Sequence, residues 1–186
     1  LVMCYLSKLK FSFESKYNGL ENKKNVSLYF KPLLESNFYK LQEELNNSKN
    51  SSYEPGLRRI LNLKAPAKEL ERICDAICPR TSELIEFKKG KFWVDTVRLS
   101  EQYLKSPFQE VSWIHFDVSK PQKRLNSIIY FKLSKLIEMI GITKELAYIH
   151  IDWYNQSKKN GFCNNNQLSI KVSQLNEIAE FKIERP

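Results

Sequence analysis

The hydrophobic periodicity of this chain changes near residue 83, and that change limits the folds open to it. Over residues 33–45 apolar side chains recur every three or four positions, which is the spacing of one helix face. Over residues 111–118 the sequence VSWIHFDV instead alternates along the chain, as a half-buried strand does. These patterns predict an α+β fold, with a helical N-terminal part to about residue 80 packed on a β-rich, barrel-like C-terminal part.

The N-terminal part divides into two predicted segments. Residues 1–56 are expected to form helix and loop and to end in a polar linker with a Pro-Gly turn. Residues 57–82 are expected to form a helical connector, whose helix begins near Pro66 and is ended by Pro79.

Residues 83–186 form the predicted β-rich module. A hairpin is expected over 83–97, because Gly90 and its neighbouring lysines separate two strand-like runs. Further strands are predicted over residues 111–118, 127–133, 145–154, 168–175 and 179–185.

Charge and composition exclude several protein classes. Thirty Lys and Arg against 21 Asp and Glu give a net charge of +9, which favours an acidic partner. No apolar run approaches the roughly 20 residues of a membrane span, so no membrane partner is expected. Four scattered cysteines do not suit a disulfide framework, so we expect free thiols and an intracellular location, with the nucleus as one candidate. A chain that begins Leu1-Val2-Met3 is expected to be a piece of a longer protein.

Basic loops beside aromatic residues suggest phosphate contact with base stacking. We therefore expect a binding module that contacts nucleic acid or chromatin; solvated loop charge is the alternative explanation. The candidate contacts are Lys88, Lys89, Lys91, Lys120, Lys123, Arg124, Lys158 and Lys159, with Phe92 and Trp93 as stacking partners.

A nuclease is an alternative function, suggested by Asp75 followed by Glu86-x-Lys88. Two carboxylates could hold Mg²⁺ on a scissile phosphate while the lysine polarises it. However, Asp75 is predicted to lie inside the connector helix rather than on a strand beside Glu86. The pair Glu-x-Lys is also common by chance, and surface charge on a hairpin would explain it.

Two His-x-Asp pairs, one in each of two predicted strands, suggest a metal site. His115, Asp117 and His150 could supply a facial two-histidine, one-carboxylate set for non-haem iron. The alternative is that each pair makes local hydrogen bonds on the polar face of a strand. Cys74 and Cys78, four residues apart on the predicted helix, could share zinc, or could pack as small hydrophobic residues.

Other catalytic motifs are absent from the sequence. There is no Gly-rich phosphate loop, no Gly-x-Ser-x-Gly turn and no His-Glu-x-x-His helix. We therefore expect a non-catalytic protein without a cofactor. A scaffold domain that binds other protein chains through its strands and aromatic residues remains a further alternative.

The order of the segments SWIHFDVSK, RLNSIIYFKLSKL, ELAYIHIDWYNQ and QLSIKVSQLNEIAEFKI resembles the bromo-adjacent homology (BAH) type of β module. In that resemblance Trp153 and Tyr154 end a strand, and Leu175 and Ile178 belong to a later short segment. Asn126 stands where such modules often have glycine. The resemblance covers roughly residues 83–186 and implies a chromatin or protein-interaction module without catalysis.

Overall fold

A computed structural model describes residues 26–47, 53–106, 111–161 and 166–186. This part of the chain forms a mixed α/β fold with seven α-helices and seven strands. The helices are α1 (Val26–Ser36), α2 (Phe38–Asn47), α3 (Glu54–Ile60), α4 (Thr96–Lys105), α5 (Leu133–Ile140), α6 (Lys144–Lys159) and α7 (Val172–Ile178). The strands are β1 (Ala76–Ile77), β2 (Leu84–Lys89), β3 (Phe92–Asp95), β4 (Val111–Ser119), β5 (Arg124–Lys132), β6 (Gln167–Ile170) and β7 (Phe181–Glu184).

Five of the strands form one sheet in the order β1-β2-β4-β5-β7. Strands β2 and β4 run parallel, and α4 lies in the connection between them, as a parallel pair requires. The other neighbouring pairs are antiparallel. Strands β3 and β6 form a separate two-stranded ribbon.

Helices cover both faces of the five-stranded sheet. On one face, Phe38 and Leu41 of α2 pack in a core with Ile85, Ile114 and other sheet residues of the same orientation. On the other face, Trp113 and Phe131 pack with residues from α4 to α7 and from the ribbon. The first core draws residues from all three predicted segments of the chain.

The prediction of a helix over residues 33–45 is confirmed, with a break at Asn37 between α1 and α2. The strands predicted over 111–118 and 127–133 are confirmed as β4 and β5, and β7 lies within the range predicted last. In these strands the alternating side chains face two different cores, so periodicity and burial agree.

Four other expectations are wrong. The connector holds a 3-10 turn at Lys68–Leu70 and strand β1 in place of a long helix. The Pro-Gly pair lies inside α3, where proline occupies the first turn and leaves no helical hydrogen bond unmade. Residues 145–154 lie in α6, and residues 172–178 form α7 rather than continuing a strand.

The predicted hairpin over 83–97 is also wrong. The chain turns at Gly90, whose φ of +74° suits glycine, but β2 pairs with β1 and β4 while β3 pairs with β6. Neither sheet closes on itself among the described residues, so the structure does not support a barrel, and helices occur well beyond residue 80. None of the described helices is long and apolar enough to cross a membrane.

Candidate active site

Asp75 lies directly before β1, at the edge of the large sheet. Its backbone N–H donates to Ile85 O at 2.9 Å, and its carboxylate Oδ2 accepts from the Phe87 N–H at 2.8 Å. Because β1 has only two residues, the edge of β2 continues past it, and the Asp75 side chain caps that open edge. This placement brings Asp75 beside Glu86, which the predicted connector helix would not have done.

Glu86 is a buried residue in the middle of β2, on the face that α4 covers. Arg98 Nη2 lies 2.9 Å from Glu86 Oε1 and 3.6 Å from Asp75 Oδ1, so one nitrogen contacts both carboxylates. Gln102, one helical turn after Arg98, donates from Nε2 to Glu86 Oε2 at 3.2 Å and to Ile73 O at 2.7 Å. The spacing of four residues puts Arg98 and Gln102 on one face of α4.

A third carboxylate, Glu54, belongs to the same group of charges. It lies in the first turn of α3, and burial, followed by the nearby charge of Asp75, raises its pKa. Burial and then the charge of Asp75 also raise the pKa of Glu86 well above its ordinary value. We call Glu54, Asp75 and Glu86 the carboxylate cluster.

Lys88 lies on the same face of β2 as Glu86, two residues along. Burial lowers the pKa of Lys88, against the opposing effect of the Glu86 charge. Tyr53 precedes Glu54, and burial together with the charges of the carboxylate cluster raises its pKa to about 12. A lysine and an aromatic side chain therefore both belong to the surroundings of the cluster.

Two buried polar atoms beside the cluster have no hydrogen-bond partner. They are Arg98 Nε and Gln102 Oε1. Gln102 is completely buried, and its amide nitrogen contacts Glu86, whereas its amide oxygen has no partner. An unpaired buried acceptor is costly, and such atoms often mark a place where a ligand or water binds.

Across the described ranges, no three His, Cys, Asp or Glu side chains already stand as a metal-ligand set. At the cluster, the Arg98 guanidinium lies between Asp75 and Glu86. The Arg98 side chain is 42% exposed, against 12% for Asp75 and 6% for Glu86. The cluster is thus closed at its base and opens to solvent on the Arg98 side.

Some of the predicted basic residues come together next to this cluster. Lys89, at the end of β2, donates from Nζ to Leu45 O, and its Nζ lies 5.7 Å from the centre of the Tyr53 ring. Burial lowers the Lys89 pKa, and the charges of Lys123 and Lys120 lower it further. We call these three lysines the basic strip; Lys89 is the member that contacts Tyr53, whose pKa in turn responds to the charges of the carboxylate cluster. Arg124 follows Lys123 and is exposed at the start of β5.

Other predicted contact residues lie apart from the strip or inside the protein. Phe92 is 2% exposed and packs against Trp113 and Phe131, so its ring is unavailable for stacking on a base. Trp93 points the opposite way and is 41% exposed, and Lys91 is exposed beside it. Lys158 and Lys159 are exposed in the last turn of α6, and no described contact joins them to the basic strip.

The three residues of the predicted iron site lie on different kinds of element. His115 is fully buried on β4, with Nε2 2.6 Å from Gly90 O, and Asp117 follows on the same strand. His150 lies in α6, not on a strand. In a helix, residues two apart face different directions, so His150 and Asp152 do not share a face as the strand prediction required.

Cys74 and Cys78 are both buried free thiols, and burial raises the pKa of Cys74 to about 12.

Sequence reasoning found Asp75, Glu86 and Lys88 but missed Glu54, Arg98 and Gln102. One signal could have found the last two. Asp95 caps α4 by accepting from the N–H groups of Val97 and Arg98, and Asp followed by a helix-forming run is a recognisable helix start. Glu54 carried no comparable signal, because only tertiary packing brings α3 to the edge of the sheet.

Comparisons with protein-family models and with curated proteins give no match for this chain. The resemblance to a BAH-type module therefore stays a prediction. Trp153 and Tyr154, which that resemblance places at the end of a strand, lie in helix α6.

Proposed function

We propose that this protein binds nucleic acid and hydrolyses its phosphodiester backbone with the help of a divalent cation. The observation that carries the proposal is the placement of Asp75 and Glu86 on one cation, the Arg98 guanidinium, at 3.6 and 2.9 Å. Two carboxylates that converge on one nitrogen supply two of the oxygen ligands from which a Mg²⁺ site is built, and Mg²⁺ is commonly held by one or two carboxylates and water. Gln102, whose Nε2 contacts Glu86, also carries an unpaired amide oxygen, Oε1, of the kind that Mg²⁺ and Ca²⁺ accept as ligand.

Each residue has a definite part in this hydrolysis. Asp75 and Glu86 would hold the cation, which would supply Lewis-acid chemistry at a phosphate oxygen. Lys88 lies on the same strand face as Glu86, where an ammonium group stabilises the charge that develops on the phosphate. The water oxygen forms a bond to phosphorus, the bond from phosphorus to the leaving oxygen breaks, and a proton ends on that oxygen.

The basic strip supports nucleic acid as the substrate class. Lys120 and Lys123 are exposed on the turn between β4 and β5, and Lys89 connects that turn to Tyr53. A polyanion that follows these lysines is led to the carboxylate cluster. Tyr53 contacts Lys89 and is affected by the charges of the carboxylate cluster, and an aromatic side chain can contact a base.

A second candidate, binding without cleavage, is favoured by a different observation. Arg98 fills the gap between Asp75 and Glu86 and already neutralises part of their charge. If that arrangement is permanent, the cluster is structural and the basic strip alone contacts nucleic acid or chromatin.

The experiment measures cleavage and binding separately on the full chain. Labelled duplex DNA, single-stranded DNA and single-stranded RNA are incubated with Mg²⁺, with Mn²⁺ or with a chelator. We expect cleavage that requires metal and that falls at least about 100-fold in Glu86→Gln and Lys88→Gln. Glu35→Gln, a change at an exposed glutamate of α1, is the matched control and should cleave like the wild type.

Binding is followed by fluorescence anisotropy at about 50 and 200 mM salt, because phosphate-driven binding weakens steeply between them. The double change Lys120→Gln and Lys123→Gln should lower the salt slope by about 2, because each lysine neutralises one phosphate. The exposed pair Lys31→Gln and Lys40→Gln serves as its control. Salt-steep binding without cleavage under any metal would establish the second candidate, and absence of both would overturn both.

A further inference from the structure

Arg98 makes an arrangement that differs from an ordinary ion pair. A single nitrogen, Nη2, lies 2.9 and 3.1 Å from the two oxygens of Glu86 and 3.6 Å from Asp75 Oδ1. Guanidinium groups usually pair with carboxylates through two parallel hydrogen bonds from different nitrogens. Here one nitrogen sits at the point where the two carboxylates converge, which is where a small cation would also sit.

The contacts around Arg98 leave it imperfectly satisfied. Its Nε is buried and has no hydrogen-bond partner, and the neighbouring Gln102 Oε1 also lacks one. A cation that took the Gln102 oxygen as a ligand would give this acceptor a partner, which the guanidinium does not do. A small cation with oxygen ligands would therefore satisfy one polar atom that Arg98 leaves unpaired.

Displacement of Arg98 by a divalent ion would also change the net charge of the site. The three acids of the carboxylate cluster face Lys88, Arg98 and Arg58, whose Nη1 also donates to Asp75 O at 2.8 Å. When all three acids are ionised, three negative and three positive groups balance. If a divalent ion took the place of Arg98, the same groups would carry a net charge of +1, and the released guanidinium would add to the attraction for phosphate.

Arg98 is also placed so that it can leave. Its side chain is 42% exposed, and it projects from the first turn of α4, which is capped by Asp95 independently of the cluster. The guanidinium can swing towards solvent by rotation of its own side chain, with the helix unchanged.

We propose that Arg98 is a displaceable placeholder: it occupies the cation position in the metal-free protein, and a divalent ion displaces it towards the phosphate of the substrate. This inference rests on the proposed function. It assigns Arg98 two successive partners, the carboxylate cluster before the metal binds and the substrate phosphate afterwards. In the metal-free state it keeps three acids together without a permanent ion.

The test measures metal binding to the full chain in the absence of nucleic acid, with Mn²⁺ followed by electron paramagnetic resonance. Arg98→Gln removes the competing charge, and we expect its affinity for Mn²⁺ to rise about tenfold or more. Arg98→Lys keeps the charge but loses the planar group, so its affinity should lie between those of the wild type and Arg98→Gln. Arg72→Gln, at an exposed arginine that pairs with Glu101, is the matched control and should bind Mn²⁺ like the wild type.

Cleavage supplies the second readout. Arg98→Gln should bind the ion more tightly than the wild type does. At saturating metal it should nevertheless cleave more slowly, because the variant has no guanidinium to contact the phosphate. A purely structural Arg98 would lower metal binding and cleavage together when removed, and that result would overturn the inference. Circular dichroism melting of each variant shows that the protein compared is folded, and Arg98→Lys provides the test if Arg98→Gln does not fold.

The outcomes also separate this inference from the proposed function. Metal-dependent cleavage by the wild type, with unchanged or weaker Mn²⁺ binding in Arg98→Gln, would overturn the placeholder alone. Absence of both Mn²⁺ binding and cleavage in the wild type and in Arg98→Gln would overturn both proposals.

Discussion

Two buried glutamates lie three residues apart, and their surroundings differ in a way that separates structure from function. Glu83 forms a salt bridge with Lys132. Tyr130 Oη donates to Glu83 at 2.8 Å and contacts Ser112 Oγ at 3.0 Å. Glu86 lies on the opposite face of the sheet, with two further acids near it and a half-exposed arginine. Both are glutamates with a cationic partner in the same region of the chain.

The Glu83 network is closed, and the Glu86 network is open. The Lys132 side chain is 12% exposed and makes additional contacts with Ser112 and Tyr130 at 3.1 and 3.2 Å. None of the atoms of the Glu83 network is among the unpaired buried atoms of the described residues, whereas two atoms beside Glu86 are. A network whose donors and acceptors match stabilises one packing arrangement, while buried polar atoms without a partner leave a place where a ligand can bind.

The largest expected effect is on the closed network. Glu83→Gln leaves the Lys132 ammonium buried without its counter-charge, so the free energy of unfolding should fall by about 3–5 kcal/mol. Urea unfolding followed by circular dichroism measures the change. A decrease under about 1 kcal/mol would mean that the closed network contributes no more than a surface pair.

A smaller effect is expected from pH, through His115 on the face of the sheet that holds Glu86. Burial lowers the pKa of His115 below its ordinary 6.5, so the unfolded chain takes up a proton near that pH while the folded chain does not. Stability should therefore be complete above about pH 6.5 and fall as the pH drops below it, with a slope of at most about 1.4 kcal/mol per pH unit.

His115→Gln removes this proton uptake and can still donate to Gly90 O. Its unfolding free energy, measured in urea between pH 7 and pH 5, should depend less on pH than that of the wild type. Equal slopes in the two proteins would show that acid sensitivity arises elsewhere, and would remove His115 as a cause.

The smallest expected change in stability is at the open network. Glu86→Gln replaces a carboxylate whose ionised form burial already disfavours, and Asp75 remains as a partner of Arg98. The free energy of unfolding should change by no more than about 1 kcal/mol. A decrease as large as that of Glu83→Gln would mean that the two networks have the same structural role, and the comparison between them would fail.

Much of the fold follows from local pattern, with instructive exceptions. In β4 and β5 the alternation of side chains was sufficient to predict a strand, because each of them is flanked by another strand of the sheet on both sides. The run ELAYIHIDWY has a similar apolar content but forms α6, which begins after Thr143, whose side chain accepts from the Leu146 N–H at 3.2 Å. In short apolar runs, periodicity does not distinguish a strand from a helix. Here the cap residue Thr143 was the signal that a helix begins.

The candidate site was only partly predictable. Glu86 and Lys88 share a strand face because they are two residues apart, and that part of the pattern was visible in the sequence. The position of Asp75 was mispredicted because Pro66 and the apolar residues after it suggested a helix, whereas that stretch ends in a two-residue strand. The predicted helix placed Asp75 away from Glu86 and so counted against a nuclease. The structure places the two carboxylates side by side and removes that objection.

The sequence by itself determined the periodic elements, the excess of positive charge and the Glu-x-Lys pair on one strand face, because these depend on spacing along the chain. Tertiary structure decided the rest. It brought α3, the start of β1, β2 and α4 to one edge of the sheet, where Glu54, Asp75, Glu86 and Arg98 meet. Contacts between residues far apart in sequence arise from packing of whole elements, and no local pattern encodes which edge of a sheet a helix will cover.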